Sequence, residues 1–244
     1  MYTRVRIEGS TISGNQAGGI ASQDYYPWGN SGHGFEISHS TVLSFAPQLE
    51  PRQVLTLPDL NRNGSAEVGV LLPDDSTADR VVIKDTRTGA AVQTLWSGAD
   101  LLQAAPVADR NRNGAPEVVL LWRNPGTTQV WVVDAATNRR LASLAVFNQS
   151  VTPLKLAVVA DVTGNRVEEY AVLGRTAPTG QATVTVVDGA IGQRVSRMWS
   201  DPGCTPLDLV SIADVNRNGA AELVMLGHCG TSGQLRAFVM DARP

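Results

Sequence analysis

Lysine is nearly missing: Lys84 and Lys155 are the two that occur, and arginine carries the rest of the positive charge. The formal net charge is −3, with no Lys/Arg-rich run, so nothing offers nucleic acid a basic field. No apolar stretch reaches the roughly 18 residues that cross a bilayer, so no membrane span is expected. The opening MYTRVRIEGSTISGN lacks the apolar core of a signal peptide. It reads like the middle of a strand, and the chain is expected to be part of a longer protein. Sustained helical periodicity is missing too, which points to an all-β chain.

Catalytic signatures are equally scarce. The three histidines, His33, His39 and His228, are scattered, and with two cysteines they are too few for a zinc motif. There is no G-x-S-x-G and no G-x-x-x-x-G-K-[ST], so neither a serine nucleophile nor a phosphate cradle is visible. The pair Asp74–Asp75 sits among turn-forming residues and reads as a surface loop rather than a general acid and base. No enzyme activity is expected. With 43% hydrophobic and 18% charged residues, however, the chain is too apolar to be disordered.

What is present is a repeat. DLNRNGSAEVGVLL begins at Asp59, DRNRNGAPEVVLLW at Asp109, DVTGNRVEEYAVLG at Asp161 and DVNRNGAAELVMLG at Asp214, at steps of 50, 52 and 53 residues. A second anchor follows in each unit, where a run of branched residues ends at Asp85, Asp134, Asp188 or Asp241. Apolar runs lie before, between and after these anchors, giving four short strands, A to D. The acidic clusters between them are turn chemistry. Four-stranded units at this period suit the blades of a β-propeller. The D strands end on Trp96, Phe147 and Trp199, and Phe45 stands at the corresponding distance before the first unit. These aromatics are read as blade-packing residues rather than a sugar-stacking set.

The last unit stops where its D strand should begin, and residues 41–46 are expected to supply it, closing four blades into a ring. The alternative is an open array cut from a larger propeller. Residues 1–40 read differently: IEGSTISGN and ISHSTVLSF resemble each other 30 residues apart. They look like rungs of a right-handed parallel β-helix, or else form an irregular β extension. Two regions follow, 1–40 and the propeller repeats over 41–244.

The loop pattern D-x-N-x-N-G-x-x-E resembles that of FG-GAP (VCBS-type) repeats, the units of integrin-like β-propellers, over residues 41–244. In that family the A–B loop reads D-x-D-x-D-G-x-x-D and holds calcium, the glycine permitting the sharp turn. The resemblance implies candidate calcium ligands Asp59, Asn61, Asn63 and Glu67 in loop 59–67. It implies Asp109, Asn111, Asn113 and Glu117 in loop 109–117, and Asp214, Asn216, Asn218 and Glu222 in loop 214–222. In loop 161–169 Asp161, Thr163, Asn165 and Glu169 keep the offsets, but Arg166 stands where glycine belongs, making that site the weakest. Each loop brings two carboxylates rather than four, and Arg62, Arg112 or Arg217 lies within three of them. Affinity would accordingly be weak, in the range of about 10⁻⁴–10⁻³ M. The same residues also suit a metal-free hairpin, in which Asp and Asn bond their own backbone.

The loop from Asp214 to Glu222 brackets a hairpin. Counting outwards along its two strands brings Cys204 and Cys229 to within a few residues of each other at the open end. A disulfide is expected there, and with it an oxidising compartment. The resemblance implies an extracellular or cell-surface module of bacterial type, with binding or adhesion as its role. A protein or carbohydrate ligand would meet loops on one face. The alternative is a carbohydrate-binding or accessory part of a polysaccharide-acting enzyme.

Overall fold

Each unit folds where its sequence punctuates it: branched and aromatic residues hold the extended runs, and Asp, Asn and Gly turn the chain between them. The computed structural model describes residues 5–12, 35–42, 51–73, 79–98, 100–124, 126–177, 179–230 and 233–243 of the 244. Regular structure among them is β-strand throughout. β1 (Val5–Ile12) and β2 (Phe35–Val42) pair in parallel, with Val5 opposite Phe35, Ile7 opposite Ile37 and Ile12 opposite Val42.

The remaining strands form four antiparallel sheets in chain order. Blade 1 is β3 (Gln53–Leu57), β4 (Glu67–Leu72), β5 (Asp79–Asp85) and β6 (Ala91–Gly98). Blade 2 is β7 (Leu101–Val107), β8 (Glu117–Asn124), β9 (Thr127–Asp134) and β10 (Arg140–Asn148). Blade 3 is β11 (Val151–Val159), β12 (Glu169–Thr176), β13 (Ala182–Val187) and β14 (Arg194–Trp199). Blade 4 has three strands among the described residues, β15 (Cys204–Ile212), β16 (Glu222–Cys229) and β17 (Gln234–Asp241). The chain is an all-β propeller array.

The apolar runs alternate little because each blade is covered on both faces. One core cluster joins blade 1 to blade 2 through Leu55, Leu71, Val81 and Ile83 against Ala104, Val118 and Leu120. A second joins blades 2 and 3 through Val119, Leu121, Val130 and Val132 against Leu156, Tyr170 and Val172. A third joins blades 3 and 4 through Ala171, Leu173, Val184 and Val186 against Leu209, Leu223 and Met225. Burial of this kind is worth about 25 cal/mol per Å² of apolar surface, the main term holding blade to blade.

The inner A strands add polar clamps. The Gln53 amide both donates to Ala104 O (2.7 Å) and accepts from Ala104 N (2.8 Å). Gln103 does the same to Leu156 at 3.0 and 2.8 Å. At the third junction Lys155 reaches Asp208 at 3.5 Å instead.

The outer face of blade 4 has no such neighbour among the described residues. Val239 is 60% exposed, whereas its counterparts Ile83, Val132 and Val186 are fully buried. Closure through residues 41–46 meets a competing arrangement, since 41 and 42 are the last two positions of β2, which pairs with β1. Phe45 and Asp74–Asp75 lie outside the described residues, as does His33.

The reading of the D-strand aromatics as packing residues needs one correction. Phe147 is buried, and its ring fills the space above Gly174. Trp199 is 49% exposed, with the Arg197 guanidinium 4.5 Å from its ring centre. At Gly227, the blade 4 counterpart of Gly174, the nearest neighbours are the backbone of Thr205 and Pro206 rather than an aromatic ring.

Candidate functional site

The A–B loops and the C–D turns share one end of the blades, and the register makes that end electrostatically demanding. Glu67 stands directly opposite Asp85, Glu117 opposite Asp134 and Glu222 opposite Asp241. Glu67, Glu117, Asp85 and Asp134 are buried to within 1%. Like charges facing each other across strands destabilise a sheet, and buried carboxylates need hydrogen-bond donors. The loop supplies those donors.

The glutamate reaches back across the loop to backbone amides. Glu67, Glu117, Glu169 and Glu222 accept the N–H of Leu60, Arg110, Val162 and Val215 at 2.8, 2.8, 3.0 and 2.9 Å. The other oxygen takes the very next amide, from Asn111, Thr163 and Asn216, at 3.2, 3.2 and 3.4 Å. In blade 1 that oxygen has no partner within bonding distance. Burial raises the carboxyl pKa of Glu67, Glu117 and Glu169, only partly offset by these bonds.

The first aspartate of each loop ties the apex. Asp59 accepts from the N–H of Asn63 (3.1 Å) and Gly64 (2.6 Å), and Asp109 from Asn113 and Gly114 at 3.2 and 2.8 Å. Asp214 accepts from Arg217, Asn218 and Gly219 at 2.6, 3.2 and 2.8 Å.

The asparagines complete the arrangement. Their side-chain oxygens accept loop amides two residues on, as in Asn61 to Asn63 N (3.1 Å) and Asn63 to Ser65 N (2.9 Å). Their Nδ2 groups then point at the C–D aspartate. Asn61 donates to Asp85 at 2.6 Å, Asn111 to Asp134 at 2.6 Å and Asn165 to Asp188 at 2.8 Å. Asn216 and Asn218 donate to Asp241 at 3.1 and 2.7 Å, and Asn63 and Asn113 likewise bond Asp85 and Asp134.

Where its turn is described, the aspartate's other oxygen caps that turn, as Asp85 does for the N–H of Arg87 and Thr88 at 2.8 and 2.6 Å. Asp85 is accordingly held at a pKa of about 2, first by the Asn61 amide and then, against its burial, by the Thr88 donors. At Asp134, burial works upward, and bonds from the Thr137 N–H and the Asn111 amide outweigh it. The role of Asp85, Asp134, Asp188 and Asp241 as partners of the loop was not foreseen from sequence, where they read as turn residues alone.

This donor set fits a hydrogen-bonded turn rather than a calcium cage. Calcium takes six to eight oxygens. Here the aspartate and asparagine oxygens already face backbone amides, and the asparagine nitrogens occupy the side towards the strand C carboxylate. Among the described residues no three His, Cys, Asp or Glu side chains converge as a metal site. An aspartate in place of either asparagine would face Asp85 or its counterpart as a like charge.

The third loop reaches the same shape with its residue types exchanged. In three loops two residues take the left-handed conformation. They are Arg62, Arg112 and Arg217 (φ 60–63°), followed by Gly64, Gly114 and Gly219 (φ 86–87°). In the third the residue types are exchanged, Gly164 (φ 81°) taking the arginine's place and Arg166 (φ 69°) the glycine's. Asp161 still accepts from Asn165 N (3.3 Å) and Arg166 N (2.6 Å), so the loop path survives the exchange. Left-handed geometry costs a residue with a Cβ roughly 1–2 kcal/mol. All four arginines are exposed.

At the opposite end of blade 4, Cys204 and Cys229 are paired residues of β15 and β16 and form a disulfide, Cα atoms 4.0 Å apart. His228 beside them is exposed.

No protein-family model and no curated protein matches the chain. Among solved structures it is similar to the β-propeller BBS1N, crystallised in complex with ARL6DN, at 11% identity and a TM-score of 0.51. The match covers 80% of this chain and 52% of that one, so the chain spans about half the length of that structure. It is also similar to the β-propeller domain of the Trilobed protease from Pyrococcus furiosus. That match has 10% identity and a TM-score of 0.40, over 80% of this chain and 58% of that one. These likenesses concern the fold.

Proposed function

We propose that the chain is a non-catalytic binding module built from FG-GAP-type repeats and working in an oxidising, extracellular setting. Its ligand meets the face made by the A–B loops and C–D turns. The observation that carries this reading is the repetition of one locked loop in every blade, with asparagine amides bonded to the strand C aspartate. Such rigid, sequence-repeated loops on a scaffold are where binding groups are commonly placed. The loops are taken to keep this shape without calcium. The Cys204–Cys229 disulfide supports the oxidising compartment.

A second reading, an accessory part of a polysaccharide-acting enzyme, draws support from the parallel pairing of β1 with β2, which suits a stacked rung. One experiment serves both. The chain and its Arg62→Ala, Arg217→Ala and Arg123→Ala variants are applied to an array of glycans and peptides, with bound material analysed for chemical change. Binding lost with the first two and kept with Arg123→Ala, at the other end of the blades, is expected. Loop-face variants that bind like the parent, or a ligand that is cleaved, would contradict the reading.

A further inference from the structure

The loop offers two left-handed positions, and glycine is the residue that fits both without strain. Every blade nevertheless fills one of them with arginine, and it does so even in blade 3, where arginine and glycine have changed places. Folding alone gives no reason for this, since a second glycine would ease the turn. Residues held in such conformations against their preference tend to gather at functional sites.

Most other arginines here have structural employment. Arg110 donates to the Tyr170 hydroxyl (3.1 Å) and the Gly189 carbonyl (2.9 Å) of the next blade. Arg52 pairs with Asp79, and Arg123 with Asp100. Arg140 and Arg197 lie over Trp131 and Trp199. By contrast, the guanidinium groups of Arg62, Arg112, Arg166 and Arg217 make no salt bridge or side-chain hydrogen bond among the described residues. Arg62 rests its tip over Gly114 of the next blade's loop, so its stem leans along the face from one loop to the next.

The geometry points to these four arginines as a row of carboxylate-binding stations for an acidic polysaccharide, an inference that rests on the binding-module reading. Arginine's planar fork matches a carboxylate with two parallel hydrogen bonds. One station per blade, repeated on one face, suits an extended polymer that carries an acid group at intervals. The residues around the stations are mostly exposed Asn, Asp and Gly, with Val215 and Ile191 as apolar exceptions in separate blades. A protein partner would instead ask for a buried apolar or aromatic anchor at the centre of the contact. The loop aspartates, Asp109 and Asp214 among them exposed, accept backbone amides through both oxygens, so their charge is met within the loop while the guanidinium groups carry no such bond.

The test is affinity electrophoresis at low salt, with polygalacturonate, its methyl-esterified form and poly-glutamate as probes. Proteins compared are the parent chain, Arg112→Gly, Arg112→Lys and the fourfold Arg62, Arg112, Arg166, Arg217→Gly variant. Polygalacturonate should retard the parent, and added salt should weaken the effect. Arg112→Gly should lose about tenfold in affinity, with Arg112→Lys between it and the parent. The fourfold variant should lose retardation while melting no lower than the parent, because glycine relaxes each turn.

Equal retardation by the esterified polymer, or an unchanged fourfold variant, would overturn the assignment. Binding to poly-glutamate alone would overturn the polysaccharide and leave the binding module standing. If a melting temperature falls, Arg112→Lys decides: unchanged affinity there removes the fork from the account.

Discussion

Glu117 and Asp134 stand directly opposite each other across β8 and β9, two buried carboxylates at one register position. What makes this tenable is the Asn111 amide, which donates to Asp134 at 2.6 Å, together with the Arg110 N–H on Glu117 at 2.8 Å. Asn111→Asp keeps the size of the side chain and turns that donor into a third carboxylate. It is expected to cost about 2–3 kcal/mol, the scale of a lost charge-assisted bond plus a repulsion. Urea unfolding of the two proteins measures it, and an Asn111→Asp chain as stable as the parent would remove the bond from the account.

The same groups set the response to acid. Asp85, held at about 2, stabilises the fold fully above its unfolded value near 3.9. That stability is lost as the pH falls towards 2. Glu67, Glu117 and Glu169, raised by burial, act with the opposite sign and favour the folded state as they take up protons. The melting temperature is therefore expected to rise slightly as these glutamates take up protons and to drop once the pH falls below the unfolded aspartate value of about 3.9. Asn61→Ala, which removes the leading donor to Asp85, should flatten the low-pH drop in a series of thermal melts.

The Cys204–Cys229 bond closes a loop of 25 residues' separation. Cross-linking a loop of that size stabilises by about 3 kcal/mol in the chain-entropy picture. A Cys204→Ser, Cys229→Ser pair should shift the urea midpoint accordingly. Non-reducing mass spectrometry of native material should show no alkylatable thiol, and two free thiols would withdraw the oxidising compartment as well.

Val186 and Val239 occupy the same position in successive blades, one fully buried and the other 60% exposed. Val186→Lys should unfold the chain or lower its melting temperature by many degrees, as an unpaired buried charge does. Val239→Lys should change it little, within about 0.5 kcal/mol. Equal losses would mean that the outer face of blade 4 is covered.

Much of this fold was legible because the repeat announces itself in local chemistry. Turn residues at fixed offsets marked the hairpins, and counting outward from Asp214 and Glu222 placed the two cysteines together. The register slips by one residue between Asp208 and Pro206, which sets Cys204 squarely opposite Cys229. No residue signals that bulge in advance, although blades 2 and 3 slip at the matching place.

The site was less legible, because its bonds join residues far apart in sequence. Asn61 and Asp85 are 24 residues apart, and the aspartate is fully occupied as a turn former in any local reading. The asparagines looked like deficient calcium ligands. In the structure each amide donates to the strand C aspartate, a pairing an aspartate could not make. The value of Arg166 was hidden similarly: it looked like a lost glycine until the backbone showed Gly164 in the exchanged position.

We propose that asparagine–aspartate bonds hold the loop face without a metal. Thermal unfolding of the parent chain in chelator and again in millimolar calcium tests it most directly, because a ligand of the folded state raises the melting temperature by mass action. Coincident midpoints are expected. A midpoint that rises with calcium, and no longer does so in Asp109→Ala, would contradict it.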